Sequence, residues 1–132
     1  MSGERDLDVL LRSLKATVVE GTYVFATVAP GAVPPALSPR MLFREAEGMT
    51  LILLRDEAEA HGIAHDFPCR MITLDVHSSL EALGFIARIA TELARQGMGV
   101  NPVSGFYHDH LFVPEGREHE ALRILEGIAR GA

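Results

Sequence analysis

Serines, histidines and aspartates of the second half have types and spacing that could do chemistry: Asp75, His77, Ser78 and Ser79 lie close together, and His108-Asp109-His110 follows further on. Ser78 or Ser79 with His77 or His108 and Asp75 or Asp109 supplies the nominal parts of an acyl-transfer triad, a nucleophile, a base and an orienting acid. The spacing is not that of a known hydrolase: no Gly-x-Ser-x-Gly elbow, phosphate-binding glycine loop or Cys-x-x-Cys pair occurs. His108 and His110 would project to one side of an extended strand, where imidazoles suit zinc, copper or nickel, with His77 as a third ligand. No second cluster has metal-ligand spacing, however, and two histidines beside an aspartate at a hairpin read first as a polar turn. No metal is assigned; a pH-sensitive contact is the remaining role for this group. Cys69 beside Arg70 reads either as a thiol of lowered pKa or, more simply, as a small packed hydrophobe entering a strand.

A non-catalytic reading suits the same serines better. With Ser78 as a helix N-cap and Glu81 at the third helical position, Ser78-Ser79-Leu80-Glu81 is a capping box, and a hydroxyl satisfying a helix terminus is poorly placed to attack. Such a helix start would offer N–H donors and a favourable dipole to a carboxylate. Strand carbonyls and Asn101 would accept from an ammonium. Asn101-Pro102 is equally read as a strand edge or bulge, since proline donates nothing to a central ladder.

Composition narrows the partners. In 132 residues, 12 Lys and Arg stand against 18 Asp and Glu, a formal charge of −6, which argues against nucleic acid. A hydrophobic content of 48% supports a real core rather than a disordered chain. Cys69, the single cysteine, can form no internal disulfide and suits a reducing, cytoplasmic compartment. Glu4, Asp6 and Asp8 do not suit a signal peptide, and no run approaches the roughly 20 apolar residues of a membrane helix, so no membrane is expected. No cofactor is expected either.

The elements that must position these residues follow from periodicity. Leu7, Leu10, Leu11 and Leu14 line one helical face, and 22–28 alternates as a strand. Pro30 to Pro39 is a breaker loop, and 41–46 and 49–54 form a hairpin through Glu47-Gly48, followed by a short helix over 55–61 stopped by Gly62. Pro68 marks a boundary between halves 1–67 and 68–132. A strand over 70–77 leads into a helix from Ser78 to Gln96, striped by Leu80, Leu83, Ile86 and Leu93; strands over 99–107 and 111–113 and a last helix from Pro114 complete the pattern. The fold class is α+β: two interlocked ferredoxin-like halves of βαββαβ type, with antiparallel sheets and helices on one face. The second half lacks a closing strand, which 16–20 or an edge near Ala64 would supply. Tyr23, Phe25 and Met71 are candidates for an uncovered sheet face, which self-association as a dimer would bury.

The run from Cys69 to Ile128 resembles the ACT-domain family. Phe43 to Leu51, Val76-His77-Ser78-Ser79-Leu80-Glu81-Ala82 and Tyr107-His108-Asp109-His110-Leu111-Phe112-Val113-Pro114 are similar to short bacterial tandem-ACT proteins, and the second module to modules of arginine-sensing proteins. The resemblance implies an amino-acid or small-metabolite binding, regulatory and non-catalytic module. Its ligand site would comprise His77, Ser78, Ser79 and Leu80, the second-strand stretch Gly99, Val100 and Asn101, and His108 and Asp109. The aspartate-to-glycine loop of better-known ACT enzymes is replaced here by His-Ser-Ser. The alternatives are an interaction module with a degenerate pocket and a small hydrolase.

Overall fold

The structure is a computed structural model that describes residues 3–131. In chain order its elements are α1 (Leu7–Arg12), β1 (Ala16–Val18), β2 (Tyr23–Val28), β3 (Met41–Arg44), β4 (Met49–Leu54), α2 (Arg55–Ala60), β5 (Asp66–Leu74), α3 (Phe85–Arg95), β6 (Asn101–Ser104), β7 (Asp109–Pro114) and α4 (Glu118–Gly131). Two compact units result, one from residues 21–69 and one from the described parts of 1–20 and 70–132.

In the 21–69 unit the strand order is β3–β4–β2–β5. With β2 as first strand, β3 as second, β4 as third and the start of β5 as fourth, this is the ferredoxin-like order, and the proline-rich stretch after β2 stands where the first helix would be. The reason is local: Pro30, Pro34, Pro35 and Pro39 remove amide donors and fix φ. Val24 and Ala26 of β2 and Leu51 and Leu53 of β4 turn to one face and pack on Ala58 of α2 and Leu37 of the loop. Tyr23 is buried rather than presented on an open face, because the Arg40 guanidinium donates to its hydroxyl oxygen at 2.8 and 3.2 Å. Phe25 is half-buried against the edge of Phe67, with ring centroids 5.8 Å apart. Pro68 lies inside β5, where the β2 register slips between Tyr23↔Cys69 and Phe25↔Asp66 and Phe67 adopts φ +58°. A bulge is the place where a strand tolerates proline.

The other unit orders its strands β1–β5–β7–β6. Counting β5 as first strand, α3, β6, β7 and α4 complete all but the last strand of a βαββαβ unit. β1 closes it: Ala16, Thr17 and Val18 pair antiparallel with Leu74, Thr73 and Ile72. The N-terminal segment thus supplies the strand that the C-terminal sequence lacks. α1, α3 and α4 cover one sheet face, burying Leu10, Leu11, Ile89, Leu93 and Leu125 against Ile72, Leu74, Leu111 and Val113. Each fully buried Leu or Ile contributes about 1.5–3 kcal/mol. Met71, assigned above to an uncovered face, is also buried.

Two expected element starts are corrected. α3 begins at Phe85, not after Ser78, so Leu80 and Leu83 lie outside the helix and are exposed. Pro114 ends β7 instead of opening α4, which starts at Glu118. Among the described residues no helix is long and apolar enough to cross a membrane.

Candidate functional site

The chain leaves β5 at Leu74 and is fixed at once: the Asp75 amide donates to the Lys15 carbonyl at 2.7 Å, and the Asp75 carboxylate accepts from the Thr17 hydroxyl. The next turn is clamped by the N-terminal segment. The Glu4 amide donates to the His77 carbonyl and the Ser79 amide to the Glu4 carbonyl, each at 2.8 Å. Ser79 Oγ then accepts from the Glu81 amide at 3.1 Å and the Ser79 carbonyl from the Ala82 amide at 2.9 Å, closing a serine-stabilised turn. Gly84, at φ +85°, redirects the chain into α3 without any side-chain cap. The first-turn N–H groups of α3 are therefore left to whatever occupies the space before them.

Facing this loop is the β6–β7 hairpin, in which Ser104 pairs with Asp109. Asp109 is only 6% exposed. Ser78 Oγ donates to its Oδ2 at 2.9 Å. Among the described residues, no protein donor reaches its Oδ1 and no cation pairs with it. Between loop and hairpin lies a cavity of about 230 Å³, lined by Ser78, Ser79, Leu80, Ala82, Gly84, the first turn of α3 (Phe85, Ile86, Ala87), Ser104 and Asp109.

Of the expected site residues, Ser78, Ser79, Leu80 and Asp109 thus come together, while His77, Gly99, Val100, Asn101 and His108 stand outside the cavity lining. The His77 ring packs against those of Tyr107 and Phe106, with centroids 5.4 and 6.4 Å away. Asn101 pairs with Phe112 at the far end of β6 and is exposed, and Gly99 and Val100 belong to the connection before it. The His108 carbonyl accepts from the Gly105 amide at 2.9 Å in the hairpin turn.

Ser78 is not a helix cap, and its hydroxyl donates to a carboxylate rather than to a histidine. His108 and His110 keep their ring centroids 6.4 Å apart, and His110 Nδ1 shares a 3.0 Å hydrogen bond with Thr73 Oγ1. Among the described residues no group of three or more His, Cys, Asp or Glu is placed to hold a metal.

Models of the ACT domain match residues 2–70 and, separately, 66–127. The chain belongs to the ACT-domain family. ACT domains typically bind amino acids in regulatory roles. The chain is similar to a Vibrio cholerae protein of unknown function, described as a possible transport protein, with 38% identity over 93% of this chain and 95% of that one and a TM-score of 0.83. A protein from Agrobacterium tumefaciens shares the fold at 19% identity and a TM-score of 0.74, covering 88% of this chain and 89% of that one. The ligand-free regulatory subunit of aspartate kinase from Thermus thermophilus does so at 10% identity and 0.66, covering 86% and 97%. No curated protein matches in sequence.

Within the C-terminal ACT module, sequence reasoning missed Gly84, the α3 first turn and Ser104. A signal for the helix start was present, because Gly84 directly precedes the run in which Phe85, Ile89 and Leu93 recur on one face.

Proposed function

We propose that this tandem ACT protein is a non-catalytic sensor that binds an amino acid or a similar small zwitterion, and that occupancy alters its contacts with a regulated partner. One observation carries the reading: a buried carboxylate, Asp109, opens into a cavity with one oxygen held by Ser78 and the other without a donor. A carboxylate on a cavity wall attracts a cation, the more strongly the more water the cation displaces. The ligand's ammonium supplies it. Its carboxylate meets the uncapped N-terminus of α3 on the same cavity wall, where N–H donors and the helix dipole favour an anion. The cavity therefore offers one acceptor pole and one donor pole, the complement of a zwitterion.

The proposal extends to organisation. The sequence repeats divide at 1–67 and 68–132, and the molecule works in the cytoplasm as a homodimer. Support for self-association comes from edge strand β3, on which Leu42 and Phe43 are exposed, and from exposed Phe106 and Tyr107 in the β6–β7 turn. These surfaces are also what an interaction module with a degenerate pocket would present.

Thermal melting against the common amino acids separates the two. A sensor gains stability in a saturable way with ligand concentration over Kd, and a scaffold gains none with any of them. The second result would overturn the proposal.

A further inference from the structure

The following rests on the amino-acid reading of the cavity and names the class of amino acid it takes. We propose that the cavity selects an uncharged aliphatic amino acid, in the range of alanine to leucine, and rejects acidic and basic ones.

Charge decides the first half. Asp109 is the one ionisable side chain among the described residues lining the cavity, and the ligand's ammonium satisfies its Oδ1. A ligand side-chain carboxylate would find no Lys, Arg or His on the wall and would lie near Asp109, a like-charge arrangement. A ligand side-chain cation would find no second carboxylate on the wall, which otherwise offers it an apolar surface. Both charged classes lose to a neutral side chain.

Shape and polarity decide the second half. Apart from the serines, Asp109 and Gly84, the wall is Leu80, Ala82, Phe85, Ile86 and Ala87. Leu80 lines the cavity while 65% exposed, so apolar surface is presented where the ligand side chain would lie. The cavity, about 230 Å³ and partly open, has room for an aliphatic side chain against this wall. Ser79 and Ser104 make rejection of an added hydroxyl weak, so threonine should trail valine only modestly.

The test is isothermal titration calorimetry of the full chain with alanine, valine, leucine, threonine, aspartate, lysine and N-acetylvaline. Affinity is expected to rise about three- to fourfold per added carbon from alanine to leucine. Aspartate and lysine should bind at least about tenfold more weakly than valine. N-acetylvaline, which lacks the ammonium, should lose about ten- to a hundredfold, the scale of one charge-assisted hydrogen bond. Leu80→Arg, at an exposed position, should bring aspartate up about tenfold. Aspartate or lysine matching valine on the wild-type chain, with N-acetylvaline still excluded, overturns the selectivity and leaves the amino-acid site standing. N-acetylvaline matching valine, or no saturable heat from any amino acid with a chain that circular dichroism shows to be folded, overturns the site and this inference with it.

Discussion

The hydroxyl of Ser78 donates to Oδ2 of Asp109 across 2.9 Å, tying the loop that follows β5 to the first residue of β7. Because no other protein donor serves this buried carboxylate among the described residues, Ser78→Ala should cost about 1–3 kcal/mol. Urea denaturation of the unliganded protein reads this directly. Ser78→Thr, which keeps the hydroxyl, should fall between the variant and wild type, and an unshifted midpoint in Ser78→Ala contradicts the assignment.

Asp109→Asn should separate stability from binding. The amide oxygen still accepts from Ser78, yet the charge that would attract the ligand's ammonium is gone. The unliganded melting temperature is expected to stay level or rise, while the increase produced by excess valine disappears. A variant that melts well below wild type and still responds to valine argues that the carboxylate is structural.

Gly3 packs its backbone against the site loop. At φ +96° a Cβ there would lie 2.6 Å from the Ser79 amide nitrogen and 2.8 Å from the Ser78 carbonyl carbon, both fixed backbone atoms. Gly3→Ala should therefore loosen the bridge from Glu4 to His77 and Ser79 and weaken ligand binding several-fold. Amide exchange at Ser79 is the readout: faster exchange is expected, and an unchanged rate would show that Glu4 does not hold the loop.

These effects show how the sequence reads and misreads the site. Alternation alone marks β2 and β4, and the spacing of Leu7, Leu10 and Leu11 marks α1, because each is a local pattern with one buried face. Ser78-Ser79-Leu80-Glu81 also satisfies a local pattern, the capping box, but its hydroxyls are spent otherwise. Ser79 closes a turn with Glu81, and Ser78 reaches Asp109 on another strand. Such a long-range hydrogen bond has no periodicity by which to find it. Asp109 is expected in the ligand site through the resemblance, not through any local pattern of its own, and Asn101 matches a motif whose position in β6 faces Phe112, away from the cavity wall. The need for a closing strand was legible for a different reason: a βαββαβ unit short of a strand requires one from elsewhere, and of the two candidates, 16–20 and an edge near Ala64, Ala16–Val18 supplies it.

The junction of α3 and α4 carries a pH signature. Arg117 donates to the Gln96 and Gly97 carbonyls at the end of α3, each at 3.0 Å, and to both oxygens of Glu120 at 2.9 Å. Its hydrogen bond holds the Glu120 carboxyl below the ordinary glutamate range; partial desolvation opposes this, and the Arg117 charge reinforces it. A carboxyl depressed in the folded state stabilises above its unfolded pKa and loses that contribution as pH falls through the folded value. Wild type should therefore melt slightly above Glu120→Gln near neutrality, with the gap closing in acid below the normal carboxylate range. The pair is solvent-facing, so salt should shrink the gap. A gap that is constant with pH contradicts the ion-pair account.

The central claim is tested most directly by titrating isotopically labelled protein with valine and following its amide resonances. The account requires saturating shifts at Ser79, at Phe85, Ile86 and Ala87, and at Ser104 and Asp109, all with one dissociation constant and all abolished in Asp109→Asn. Shifts confined to other surfaces, or the same shifts persisting in Asp109→Asn, would contradict it.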